Sequence, residues 1–135
     1  MEISRKKELL LLTFLKYSNI DGRKRFQKLM YLAKFKFNIE VPFIFIKYFY
    51  GPFSKEMQEV LDKLVSVGLI KETKIINEFG IVEYRYSLTD RGKAVLQIIS
   101  LDSEEENKIK QLIEKYKHKS TPEIVEEVYE HAGIK

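Results

Sequence analysis

Apolar residues recur with a helical period over much of the chain, with sharp polar breaks between the runs. Leu9, Leu12, Phe14 and Leu15 predict a helix over residues 5–17. Asn19-Ile20-Asp21-Gly22 then reads as a turn, because Asn, Asp and Gly tolerate turn conformations. Over residues 23–37, Phe26, Leu29, Met30, Ala33 and Phe37 repeat at i, i+3, i+4, i+7 and i+11, the clearest helical stripe in the chain. Arg23, Lys24, Gln27, Lys28, Lys34 and Lys36 fall on the other side and predict a solvated, one-sided basic flank. Residues 40–50 change character. Phe43, Ile44, Phe45, Ile46, Tyr48, Phe49 and Tyr50 favour extended backbone, and Pro42 and Gly51-Pro52 bracket them. Ser54 predicts the cap of a third helix, whose stripe is Met57, Val60, Leu61 and Leu64 and whose stop is Gly68.

A hairpin follows, with arms near 70–77 and 81–88 and a turn at Asn77-Glu78-Phe79-Gly80. Val82, Tyr84, Tyr86 and Leu88 alternate with Glu83, Arg85 and Ser87, the period of a half-buried strand. Thr89 predicts the cap of a fourth helix with Ala94, Val95, Ile98 and Ile99 inward. Ser103 and Glu106 match a capping box opening a fifth helix to about 117, with Ile109, Leu112, Ile113 and Tyr116 inward. Thr121 as cap and Pro122 at the first helical position predict a sixth, with Ile124, Val125, Val128 and Tyr129 apolar. The expected class is α+β, mostly helical: residues 1–100 as a helical domain with a β-hairpin, and 101–135 as a helical extension packed on it.

The order helix, helix, strand, helix, hairpin, helix is the layout of a winged helix. Leu61 to Ile70, ending in Gly68-Leu69-Ile70, then Tyr86-Ser87-Leu88-Thr89-Asp90-Arg91-Gly92, resembles the signature shared by regulators such as the MarR and PadR families. A narrower resemblance covers residues 22–92. Arg25-Phe26-Gln27-Lys28-Leu29-Met30-Tyr31-Leu32-Ala33, then Tyr48-Phe49-Tyr50-Gly51-Pro52-Phe53-Ser54, is similar to the YwgA-like proteins and to the SocA-like (Panacea) antitoxin domains. The SocA-like resemblance implies action through protein contacts, as an antitoxin or proteolytic adaptor. Tyr129-Glu130-His131-Ala132-Gly133 departs from the usual ending of those families.

Composition narrows the functional classes. The 135 residues contain no cysteine, which excludes disulfides, a thiolate metal site and a cysteine nucleophile. No run of eighteen apolar residues occurs, so no membrane helix is expected, and the apolar stretch after Lys7 is too short for a signal peptide. A cytoplasmic location is expected. The net charge is +4, unevenly distributed. Residues 1–55 carry 12 Lys and Arg against 4 Asp and Glu; residues 56–135 carry 12 against 16. A basic half points to a polyanion or an acidic protein as partner, and equally describes a solvated face.

The candidate sites follow from that charge. Arg23, Lys24, Arg25 and Lys28, with Arg5, Lys6 and Lys7, form a candidate phosphate-binding set, and Lys74 and Arg85 on the hairpin extend it. These residues make a DNA-binding regulator the leading expectation, with double-stranded DNA as partner. The third helix argues against sequence reading in a major groove, since Glu56, Glu59 and Asp62 would face phosphates. Phe45, Tyr48, Tyr50 and Phe53 form a candidate partner-binding set, such as for a toxin; core packing is the competing account. Residues 101–135 are a candidate homodimer interface. His118 and His131 are the only histidines, and no phosphate loop, catalytic triad or metal-ligand spacing occurs. No enzymatic activity, metal or cofactor is expected.

Overall fold

The computed structural model describes residues 2–49 and 51–133. In chain order the elements are α1 (Glu2–Tyr17), β1 (Ile20–Asp21), α2 (Arg23–Phe35), β2 (Ile46–Tyr48), β3 (Gly51–Phe53) and α3 (Lys55–Ser66). They continue as β4 (Ile70–Ile76), β5 (Val82–Leu88), α4 (Asp90–Ile98), α5 (Ser103–Tyr116) and α6 (Thr121–Ala132). Over the described residues the architecture is α+β, with six helices and two small antiparallel sheets.

α1 is the spine. Leu9 to Leu15 are all buried, seven residues in succession, because α3, α4, α5 and β5 surround the helix. A helix apolar on every side belongs inside a core, and Leu10 and Leu11, absent from the predicted stripe, are fully covered. Thr13 fits there because its Oγ1 donates to the Leu9 carbonyl at 2.6 Å. α2 is enclosed in the same way from Phe26 to Ala33. Its stripe faces the core, where Phe26 packs between Phe14 and Tyr86 with ring centroids 6.0 Å from each. Its opposite side is covered by α6 and β3.

The predicted turn at 19–22 contains a strand instead. Ile20 and Asp21 pair with Tyr86 and Arg85, so β1 joins the β4–β5 hairpin in the order β1-β5-β4. Two residues carry no recognisable period, which is why sequence alone reads them as loop. The predicted strand over 40–50 is mostly irregular extended chain. Its end forms β2, which pairs with β3 as Ile46↔Phe53, Lys47↔Pro52 and Tyr48↔Gly51.

Ser54 and Thr89 cap α3 and α4 as expected, but the caps of α5 and α6 each lie one residue earlier than expected. Asp102, not Ser103, caps α5, accepting from Glu105 N at 2.9 Å. Ser120, not Thr121, caps α6 and forms a full capping box with Glu123. On α4, Val95 packs on the core as expected, as does Ile99 at its C-cap, and Leu96 joins them, whereas Ala94 is exposed and Ile98 is 83% exposed. The end of α3 and the start of α4 interlock. Thr89 Oγ1 donates to the Gly68 carbonyl at 2.7 Å and accepts from Gly92 N at 3.0 Å. A β-carbon at Gly92 would run into the Leu69 carbonyl oxygen. The two halves of the quoted signature are therefore one packed corner.

The buried face of α5 (Ile109, Leu112, Ile113, Tyr116) and of α6 (Ile124, Val128) packs within the chain. A dimer through residues 101–135 would have to use their polar sides.

Candidate interaction face

The site is built where α2 meets the loop that carries β2 and β3. Gln27, expected on the solvated flank, is buried and reads the backbone of Ser54: its Nε2 donates to the Ser54 carbonyl (2.8 Å) and its Oε1 accepts from Ser54 N (2.9 Å). Ser54 Oγ in turn accepts from Met57 N and caps α3. Lys28, also expected outside, is 3% exposed and donates to the Pro52 carbonyl at 2.8 Å. Burial, and then Lys24 beside it, push its ammonium down to about 8. Gly51 has φ +96°, and a β-carbon there would lie 2.5 Å from the Tyr129 ring and 3.3 Å from Lys28 Nζ. The two quoted motifs on α2 and around Gly51 thus hold each other, with α6 closing the contact.

This lock lifts β2 away from the core. All three β2 residues are exposed, Phe49 is 99% exposed, and Ile44 and Ile46 are exposed beside it. Pro52 has no N–H, so Lys47↔Pro52 is the non-hydrogen-bonded pair, and the Lys47 amide and carbonyl face the outer edge of β2. Below the hairpin lies a groove of about 710 Å³, within the size range of ligand pockets. Tyr48, Phe49, Gly51 and Phe53 form one wall, Arg23, Lys24, Gln27 and Lys28 the other, and Gln58 of α3 the end.

Of the predicted partner-binding residues, Tyr48 and Phe53 meet at this groove, with rings 5.9 Å apart. Phe45 turns inward against Tyr31 and Phe35. Tyr50 lies outside the described residues. Phe49 and Ile44, absent from that set, are the most exposed apolar side chains of the segment, and Ile46 is exposed with them. A three-residue strand carries no period from which its covered side can be read. Phe43 follows the core account and is fully buried.

The predicted basic flank does not form. Lys6 pairs with Glu105 and Lys7 with Glu56, near the start of α1. Arg23 lies beyond its far end, roughly 16 Å of helix away at 1.5 Å per residue. Arg23 Nε donates to Tyr86 Oη (3.0 Å), which donates to Glu72 (2.7 Å), while the guanidinium lies over the Tyr84 ring. Burial and the Glu72 bond together raise the Tyr86 hydroxyl well above its ordinary value. Arg25 is half-buried, donating to the Tyr116 carbonyl (2.9 Å) and Thr121 Oγ1 (3.3 Å), and burial lowers its pKa. Arg85 grips Asp21 through two bonds of 2.7 and 3.0 Å. Arg5, Lys24 and Lys74 are exposed, with no ion pair or hydrogen bond among the described residues.

A second cleft of about 930 Å³ opens between β1, the β4–β5 turn and the α5–α6 turn. It gathers Lys24, Arg25, Arg85, Lys117 and Lys119, but Asp21, Glu78 and Glu83 line it too. Among the described residues no His, Cys, Asp or Glu cluster could hold a metal, and no helix is long and apolar enough to cross a membrane.

No family model matches the chain, and no solved structure matches it. A curated relative does: the uncharacterized protein YwgA of Bacillus subtilis (strain 168), 38% identical over 96 residues, which cover 69% of this chain and 55% of that one. The chain is related to YwgA, and the matched segment spans about half of that protein's length.

Proposed function

We propose that this chain is a cytoplasmic, winged-helix-type protein-interaction module of the antitoxin or proteolytic-adaptor kind, docking its partner on the β2–β3 hairpin and the groove beneath it. The fold reading rests on the order α1-β1-α2-α3-β4-β5 and on β1 joining the hairpin in one sheet. The segment between α2 and α3 is then an elaboration of the usual turn, and it carries the docking face. One observation carries the functional reading. Phe49 is 99% exposed on a hairpin whose neighbours are apolar and whose base is locked by Gln27, Lys28 and Gly51. A large apolar surface held rigidly in water is the mark of an interaction site. The open edge of β2 adds backbone groups for strand addition.

Duplex DNA is the weaker reading. Six of its nine expected contacts are spent on Glu40, Glu56, Glu72, Glu105, Asp21 or internal carbonyls and hydroxyls. The test is affinity purification of the tagged full chain beside an Ile46→Asp, Phe49→Asp double variant. The wild type should hold one stoichiometric protein that the variant loses, and the complex should re-form from purified components. A partner held equally by both, or salt-sensitive duplex binding lost on changing Lys24 and Lys74 to Ala, would falsify the reading.

A further inference from the structure

We propose that the groove beneath β2 selects an acidic segment of its protein partner, one that presents a large apolar side chain flanked by carboxylates. The inference rests on the interaction reading above and specifies the chemistry of the partner. Its basis is an asymmetry between the two walls. One is aromatic: Tyr48, Phe49 and Phe53. The other carries the cations Arg23, Lys24 and Lys28, and no carboxylate is among the described lining residues. Arg23 is partly neutralised by Glu72 at 3.4 Å. Gln58 at the groove end donates to Asp62 at 3.0 Å. Lys28 is buried and donates to the Pro52 carbonyl, so the exposed positive charge of the groove is on Arg23 and Lys24.

A partner carboxylate brought beside Arg23 and Lys24 gains Coulomb energy as its apolar neighbour displaces water from the groove, through the charge-assisted bonds that are the stronger class. A cationic partner would meet the opposite effect. The aromatic wall supplies area and the exposed cations supply the sign, which is the division of labour expected where charge sets specificity.

The test uses the full chain and a display library of random twelve-residue peptides. Wild-type protein should enrich peptides with Asp or Glu next to Phe, Trp or Leu. Their affinity should fall at least tenfold in Lys24→Glu and weaken with salt. Selection on Lys24→Glu should invert the preference towards Lys or Arg. Lys24 makes no hydrogen bond among the described residues, so the variant should melt with the wild type. Enriched peptides that need Phe49 but are neutral or basic overturn this inference and leave the interaction reading standing. Peptides indifferent to Phe49→Asp, or no enrichment at all, overturn both. A single-stranded thymidine oligonucleotide that binds the same groove more tightly than the peptides would assign it to nucleic acid and sink the proposal.

Discussion

The surroundings of α5 and α6 and those of β2 show how differently one chain treats its polar groups. Towards α5 and α6 they are saturated: Lys36, Lys119 and the Tyr116 hydroxyl converge on Glu127, Lys16 and Tyr17 on Glu106, and Arg25 on the α5–α6 turn. Towards β2 the polar groups are used only to hold a loop, and the apolar side chains of that loop face water. The first arrangement stabilises without leaving anything for a partner. The second keeps an apolar surface rigid and uncovered. Surface that could lower the free energy of the folded chain is left exposed there, which is how functional sites depart from the rules obeyed elsewhere.

Damage to the core that both regions share should have the largest effect. Phe26→Ala should cost about 3–5 kcal/mol, since the ring is fully buried between Phe14 and Tyr86. Thermal and urea unfolding would register it, and a loss under 1 kcal/mol would show that the shared core is not where the structure puts it. Gly51→Ala should cost roughly 2–4 kcal/mol, from positive φ and the clash with Tyr129. It should also raise protease sensitivity around β2 while sparing α5.

On the saturated side, Glu127→Gln should cost about 1–2 kcal/mol at pH 7 by weakening the bonds from Lys36 and Tyr116. Burial raises that carboxyl, but Lys36 and Tyr116 outweigh it and hold its pKa below the ordinary 4.5; Lys16 and Tyr17 do the same for Glu106. Because both pKa values are depressed in the folded chain, their stabilisation is present above about 4.5 and is lost as pH falls through the folded values. Unfolding free energy followed from pH 6 to 3 should decline, less steeply in the Glu127→Gln variant. Lys28 gives the opposite sign at the other end. Its folded pKa of about 8 lies below the ordinary 10.5, so the folded chain binds fewer protons and stability should climb from pH 8 towards 10. Lys28→Met should remove that rise. The smallest effect is expected at Phe49→Ser: within about 0.5 kcal/mol in stability, as for other exposed positions, with loss of partner binding. A clear destabilisation there would mean that Phe49 packs rather than docks.

Much of the fold was legible before any coordinates. All six helices and the β4–β5 hairpin have strong local periods, and Ser54 and Thr89 cap α3 and α4 as their hydroxyls predict. The misses share a cause. Periodicity gives α1 and α2 one buried face each, because it reports a stripe and says nothing of what covers the other side. Leu10, Leu11, Gln27 and Lys28 are buried by elements far away in sequence. Strands of two or three residues, such as β1 and β2, carry no period at all. The site was half legible: Tyr48 and Phe53 were named, whereas Phe49 and Ile46 needed the hairpin register.

Where the chain turns and which residue types each element carries follow from local sequence, because caps, breaks and periods act over a few residues. So does the strongly basic character of the first 55 residues. Where that charge acts depends on packing. Lys6 meets Glu105, Lys7 meets Glu56 and Arg85 meets Asp21 across long stretches of chain. Coulomb energy depends on distance in space, so a count of charges along the sequence cannot tell a cation spent on an internal partner from one left to face another molecule.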